Sequence, residues 1–472
     1  MIRTLTSRLF QQYILFLLIP GLSFKRWLGV GAFGLAFVTL GVIFSLKIST
    51  GPTLISVLES VSLRNESPAI RGIVFIVIGL LGTAIAEFGL NRSLGNVGHR
   101  TRHWPILDSL YVERVLGSGP KITVIGGGSG LPNLLRGLKH YTSNISAVVT
   151  VADDGGSSGR LRTELGILPP GDIRNCLVAL ADSEEIMQQL MDYRFESEGQ
   201  LNGHSFGNIL IAALAGIRGD FYQGVEVVGE LLAIRGRVLP STLDYVTLVG
   251  STVSGETLIG ETRVAQSATR LRSLTLIPDD PTAHPEAIQA IKDADMVVIG
   301  PGSLFTSIVP NLLISGIAAA LAHSPAFKVY VCNVAEEPLQ TEGYGVLEHL
   351  NIVRHYGGET AVDAVIANNN VPARPTPAGL DFIRPNNPWV DDALLVEADV
   401  IDDTNDTSTA RHDPVKLSNA ITEAYRKYRG RRRRLPRVRL NVDQKRRDSD
   451  EINLNGGGHI DSNTTDHPVG RI

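Results

Sequence analysis

Gly126-Gly127-Gly128-Ser129-Gly130 has the composition of a turn that can hold phosphate. It follows the apolar run Lys121–Ile125 and leads into Leu131–His140, where Leu134, Leu135 and Leu138 recur at helical spacing with Arg136 and Lys139 outward. Between a strand and a helix, residues without a Cβ let the backbone approach a diphosphate closely. The helix N-terminus then points free N–H groups at it. The string lacks the third glycine of a dinucleotide fingerprint and the Gly-Lys-Ser/Thr of a P-loop. A tight turn without a ligand is the plainer reading.

A second run, Ala147–Val151, ends in Ala152-Asp153-Asp154-Gly155-Gly156-Ser157-Ser158-Gly159-Arg160. Ligands of open parallel sheets bind beyond the carboxyl ends of the strands, where this loop would lie. An acid there can take ribose hydroxyls, or Asp153 and Asp154 can hold a divalent ion that bridges phosphates; an Asp-Gly turn with a helix cap is the alternative. Three further junctions share this composition. Pro169–Asn175 contains Asp172, a natural N-cap. Gly203–Asn208 contains His204, a candidate proton donor or phosphate ligand that packing alone would also explain. Gly300–Ser307 follows the run Met296–Ile299, and its Ser303 can cap a helix. Convergence of these loops at one sheet end is expected from topology. No nucleophile stands with its base in the sequence; His204, His412 and the aspartates are candidates only.

The elements that must position these residues alternate. Lys121–Ile125, Ala147–Val151, Met296–Ile299, Lys328–Cys332 and Val362–Ile366 read as strands. Leu131–His140, Ile173–Ala181, Asn208–Ala215 and Pro285–Ala294 read as helices. Such alternation implies an α/β fold with a mostly parallel sheet covered on both faces. Thr242–Ile277 is rich in Thr and Val with glycine turns, and reads as a small antiparallel β-ribbon at a sheet edge or as a flap. Cys176 and Cys332, the two cysteines, sit among apolar neighbours; without ligand spacing they predict small buried side chains in a reducing compartment.

The 472-residue chain has a net charge of −4, which argues against nucleic-acid binding. Residues 1–102 read as a membrane anchor. Trp27–Leu46 and Gly72–Leu90 carry no charge apart from Glu87, and each is long enough for about 30 Å of hydrocarbon. Phe10–Leu22 is apolar but broken by Pro20-Gly21, as an interfacial segment would be. Arg3, Arg8, Lys25 and Arg26 before the first span, and Arg92, Arg100 and Arg102 after the second, outweigh Lys47, Arg64 and Arg71 between them. This places both termini and the soluble domain on the cytoplasmic side of the inner membrane, as a multi-pass protein. Residues 103–120 read as a linker, 121–428 as the nucleotide-binding domain, and 429–472 as a basic, disordered tail. Its Arg431–Arg434 run would either be solvated or meet anionic lipid. A homo-oligomer is compatible with all of this.

Taken together, GGGSGL at 126–131, VADDGGSSGRLR at 151–162, PPGDIRNCL at 169–177, GHSFGN at 203–208, RGRVLP at 235–240 and GPGSLFTSIVPNLL at 300–313 resemble the gluconeogenesis factor (YvcK-like) family. That family is related to 2-phospho-L-lactate transferase (CofD-like). The resemblance implies a Rossmann-like fold and a UDP-sugar-binding regulatory protein affecting carbon metabolism, wall precursor supply and cell shape. The alternative it implies is a magnesium-dependent transferase of a phosphate-linked group. By the resemblance, Gly126, Gly127, Gly128, Ser129, Gly130, Gly302 and Ser303 would hold a diphosphate, while Asp153, Asp154 and Asn208 line the pocket. Ser157, Asp172, Asn175, His204 and Arg411 complete the expected nucleotide-binding set, with Asp153 and Asp154 as the metal candidates. No cofactor other than magnesium is implied. The family's usual member lacks the two spans.

Overall fold

The computed structural model describes residues 24–45, 67–94, 115–182, 184–196, 198–267, 269–371, 381–385, 388–403 and 410–434. The expected interfacial segment 10–22, most of the 103–120 linker and the tail beyond 434 lie outside these.

Seven strands form one parallel sheet: β1 (Ile122–Gly126), β2 (Ile145–Val149), β3 (Arg237–Pro240), β7 (Met296–Ile299), β8 (Phe327–Val331), β9 (Ala364–Asn368) and β10 (Leu394–Ala398). Their order is β10-β9-β8-β7-β1-β2-β3. The residues of β1, β7, β8 and β9 are buried throughout, which is why these runs are continuously apolar instead of alternating. The expected Rossmann-like α/β architecture is therefore present. The chain leaves β1 toward β2 and leaves β7 toward β8 in opposite directions. With right-handed crossovers the connecting helices then fall on opposite faces. β1 and β7 are neighbours, with Ile125 opposite Ile299, so the sheet reverses its winding there and the crevice opens beyond Gly126 and Gly300.

The flanking helices include α3 (Gly130–Leu138), α4 (Gly156–Leu165), α5 (Gly171–Leu180), α6 (Glu184–Asp192), α7 (Phe206–Arg218) and α8 (Phe221–Leu231). Two expected starts shift upstream. α5 begins at Gly171 rather than Ile173, with Pro170 at the N-cap, so Asp172 lies within the first turn and is not the cap. α7 begins at Phe206, and its cap is Ser205, whose hydroxyl accepts from the Asn208 N–H.

The ribbon is a separate three-stranded antiparallel sheet and not an edge of the main one. It comprises β4 (Thr247–Thr252) between β5 (Thr257–Ile259) and β6 (Leu271–Ile277), and carries the short helix α9 (Glu261–Ala265). β4 alternates buried and half-buried residues, the pattern of a sheet with one packed face.

After β6 come α10 (Pro285–Asp293), the buried turn Leu304–Ile308, α11 (Val309–Leu312), α12 (Ser315–His323) and α13 (Val346–Gly357). The last helix, α14 (Pro414–Arg434), is capped by Asp413, whose Oδ1 accepts from Val415 and Lys416 at 2.8 and 2.7 Å. It runs six residues past the expected end at Tyr428, because lysine and arginine are good helix formers. From Tyr425 onward the described chain is the end of this helix alone.

The first two described helices, α1 (Phe24–Ser45) and α2 (Pro68–Leu94), pack together along glycines. A Cβ at Gly34 would lie 2.8 Å from the Thr83 nitrogen, and one at Gly79 2.6 Å from the Val38 nitrogen. Small residues thus let the two backbones touch. Phe33, Leu35, Leu80, Leu81, Phe88 and Glu87 are exposed. Within α2, Gly72–Gly89 is long and apolar enough to cross a membrane; in α1 the corresponding stretch, Gly29–Ile43, is shorter.

Candidate functional site

The glycine loop is built to be thin. Gly128 has φ +61°, a backbone shape that side chains rarely adopt. A Cβ at Gly127 would lie 2.6 Å from Thr150 Cγ2 and 2.8 Å from Asp172 Oδ2; one at Gly130 would lie 2.7 Å from the Pro301 carbonyl oxygen. The loops after β1 and β7 therefore interlock at the switch point. Asn311 ties them further, its Nδ2 donating to the Gly126 carbonyl at 3.1 Å and to that of Ser307 at 2.8 Å. Ser129 is exposed and makes no cap bond. Ser303 also does not cap with its side chain; its hydroxyl donates to Gln340 Oε1 at 3.1 Å. Gly302 lies against Gly127, since a Cβ there would be 3.1 Å from the Gly127 carbonyl oxygen.

Carboxylates gather beside this loop. Asp172 Oδ2 accepts the Gly128 N–H at 2.6 Å, and Asp153 Oδ1 accepts that of Gly155 at 2.9 Å. Burial pushes the Asp172 carboxyl up to about 6, with the charge of Asp153 adding to the rise. Asp153 is raised by burial too, and by Asp154. Glu261, at the start of α9, joins them: burial first, then Asp153, lifts it to about 7, and Thr306 hydrogen-bonds it. The paired reading of Asp153 with Asp154 divides here. Asp154 Oδ1 accepts from Thr262 N and Oγ1 at 2.9 and 2.7 Å, so it fastens the small sheet. Among the described residues no three His, Cys, Asp or Glu groups form a ready metal cage.

The nearest cations are engaged elsewhere. The Arg162 guanidinium donates to the carbonyls of Ala152, Asp153 and Val246 and lies 4.1 Å over the Tyr245 ring. That of Arg174 donates to Ser205, to Asn208 Oδ1 at 3.0 Å and to Asn175 Oδ1 at 2.8 Å, and pairs with Asp192. Through Asn208 this network reaches Ser157 at 3.1 Å, and the Ser157 hydroxyl lies 3.0 Å from His204 Nδ1. A hydroxyl and an imidazole are thus paired, although the sequence shows no such pair. Both are buried, and burial, with Arg160 nearby, holds His204 below the usual histidine range. Asn175, Ser157, His204 and Asn208 therefore form one cluster. Arg411 is exposed, while the adjacent His412 is buried with Nε2 3.1 Å from the Cys332 carbonyl oxygen at the end of β8. Both cysteines are buried free thiols, as expected.

Glu261, Arg162 and Asn311 belong to the site as well, beyond the residues expected from the sequence. Arg162 and Asn311 stand inside strings that carry the family resemblance, and Asn311 is also a polar residue within the apolar run that follows Gly300–Ser307; nothing of the kind marks Glu261.

Fold and loops define a Rossmann-like domain with glycine and acid loops gathered at the sheet's switch point. The model of the family described as 2-phospho-L-lactate transferase CofD matches residues 122–393. A Nostoc sp. relative carrying the gluconeogenesis factor description is 40% identical over 425 residues, covering 86% of this chain and 91% of its own. The gluconeogenesis factor of Bacillus subtilis is 39% identical over 65% of this chain and 99% of its own length. A crystal structure of a Bacillus halodurans protein superposes with a TM-score of 0.61 at 38% identity, covering 65% of this chain and all of that one. The chain belongs to the gluconeogenesis factor family, with a CofD-type α/β domain.

Proposed function

We propose that the protein is a membrane-tethered regulatory protein that binds a nucleotide sugar of the UDP type through its diphosphate. The interlocked loops at Gly126–Gly130 and Gly300–Ser307 carry this reading, because they leave backbone N–H groups and a helix N-terminus at the winding reversal of the sheet. Asp153 and Asp172 are the pair suited to magnesium. The charge of Asp153 raises the Asp172 carboxyl, and the terminal guanidinium nitrogens of Arg162 and Arg174 already donate to protein acceptors. Two carboxylates, with phosphate oxygens and waters, are a common magnesium shell. Held there, the cation would supply the positive charge that the diphosphate otherwise lacks in this cleft. Binding of UDP-N-acetylglucosamine to the full chain, measured by titration calorimetry with magnesium, tests the reading; no affinity for any uridine nucleotide would sink it.

The tether rests on an inverted surface: glycines inside the α1–α2 seam and large apolar side chains outside. With the basic flanks, this supports a two-span anchor in the inner membrane and a cytoplasmic domain. A second reading, a magnesium-dependent transferase acting on a phosphate-linked group, draws on the family match and on the Ser157–His204 pair. Turnover of a guanosine diphosphate-linked donor in the presence of a hydroxyl acceptor would favour it.

A further inference from the structure

The Gly128 N–H is one of the donors that a phosphate oxygen would use in this loop, and a carboxylate already holds it. Asp172 Oδ2 lies 2.6 Å from that nitrogen, and the same oxygen would crowd any Cβ at Gly127 at 2.8 Å. Two anions cannot share the donor, since like charges this close repel and each needs the same proton. The residue that reaches the loop is also one of the two carboxylates assigned to a cation. Its neighbour Asp153 is close by, with Oδ2 3.5 Å from where a Gly171 Cβ would stand. A cation between Asp153 and Asp172 would pull on the same carboxylate that accepts from Gly128.

We propose that Asp172 is a built-in occupant of the phosphate seat, which it leaves when a divalent cation draws it toward Asp153, so that cation and diphosphate bind as a coupled pair. This rests on the nucleotide-diphosphate reading. It goes beyond that reading by making the site close on itself until cation and nucleotide bind together. The coupling is reciprocal: nucleotide must tighten cation binding by the same factor.

The test uses the full chain in detergent, with UDP-N-acetylglucosamine titrated in magnesium and in EDTA. Wild type loses at least tenfold in affinity on going to EDTA. Asp172→Ala empties the seat, and in EDTA it binds at least tenfold more tightly than wild type in EDTA. Asp172→Asn keeps an acceptor for Gly128 but has no charge for a cation to draw, so it binds more weakly than Asp172→Ala in both buffers. A residue that served only as a cation ligand, or only structurally, would make both variants lose affinity together with neither exceeding wild type in EDTA, and that result overturns the proposal. Hydrogen exchange at the Gly128 amide gives a readout without nucleotide. It should be slow in EDTA, faster with magnesium alone, and fast in Asp172→Ala; equal rates in EDTA and in magnesium also overturn the proposal. If no nucleotide binds wild type in either buffer, the function reading fails and the exchange rates still decide the role of Asp172. If Asp172→Ala does not fold, wild type and Asp172→Asn carry both measurements.

Discussion

His412 is a buried imidazole whose Nε2 meets the Cys332 carbonyl, and burial pushes its pKa down to about 4. In the unfolded chain the same group would titrate near ~6.5. Between those values the unfolded chain takes up a proton that the folded one refuses, so its stabilising contribution is full above pH ~6.5 and falls as the solution is acidified through the window. The loss amounts to about 3 kcal/mol by pH 4. Denaturant unfolding at a series of pH values should show this slope, and His412→Gln should flatten it. At Gly130, alanine places a methyl group against the Pro301 carbonyl. Overpacking of this kind costs about 1–3 kcal/mol, and Gly130→Ala should lower the unfolding midpoint and weaken nucleotide binding together. Asp172 shows what sequence can and cannot tell at this scale. Its acidic, helix-starting context was legible, but its bond to Gly128, 44 residues away, depends on the fold.

Among the elements, the small sheet is fixed to the acidic loop at two points. Asp154 accepts from Thr262, and Arg162 reaches the Val246 carbonyl and Thr247 on β4. Removing one hydrogen bond to a carboxylate costs about 1–3 kcal/mol, so Thr262→Val should loosen the sheet first. Limited proteolysis would report this as faster cleavage within 241–277 at unchanged main-sheet protection. The strands of the main sheet were largely readable because buried parallel strands are unbroken apolar runs, and Met296–Ile299 agrees residue for residue. Helix starts were less so, since Gly171 and Phe206 begin helices without any change in apolar period. Glu261 was not readable at all: it enters the cleft from another sheet, more than a hundred residues beyond Asp153, and nothing in its own neighbourhood marks it.

For the molecule as a whole, the hairpin and the α/β domain make different demands on solvent. The domain covers its apolar strands, whereas α1 and α2 present theirs outward. Sodium carbonate washing of membranes should leave the full chain in the pellet, and a chain lacking residues 1–102 should appear in the supernatant. Protease added to inverted vesicles should cut the 121–428 domain; its protection there would refute the cytoplasmic orientation.

Gly130 and the Pro301-Gly302 backbone are separated by some 170 residues of sequence, yet a Cβ at Gly130 would meet the Pro301 carbonyl and one at Gly302 the Gly127 carbonyl. Neither loop can gain volume unless its counterpart retreats. Substitutions at the two sites should accordingly be epistatic, with double mutants departing from the sum of the singles by about 0.5–3 kcal/mol. The two strings would then be inherited as one unit, and recombination between distant relatives that exchanges one loop without the other should yield chains that fold poorly.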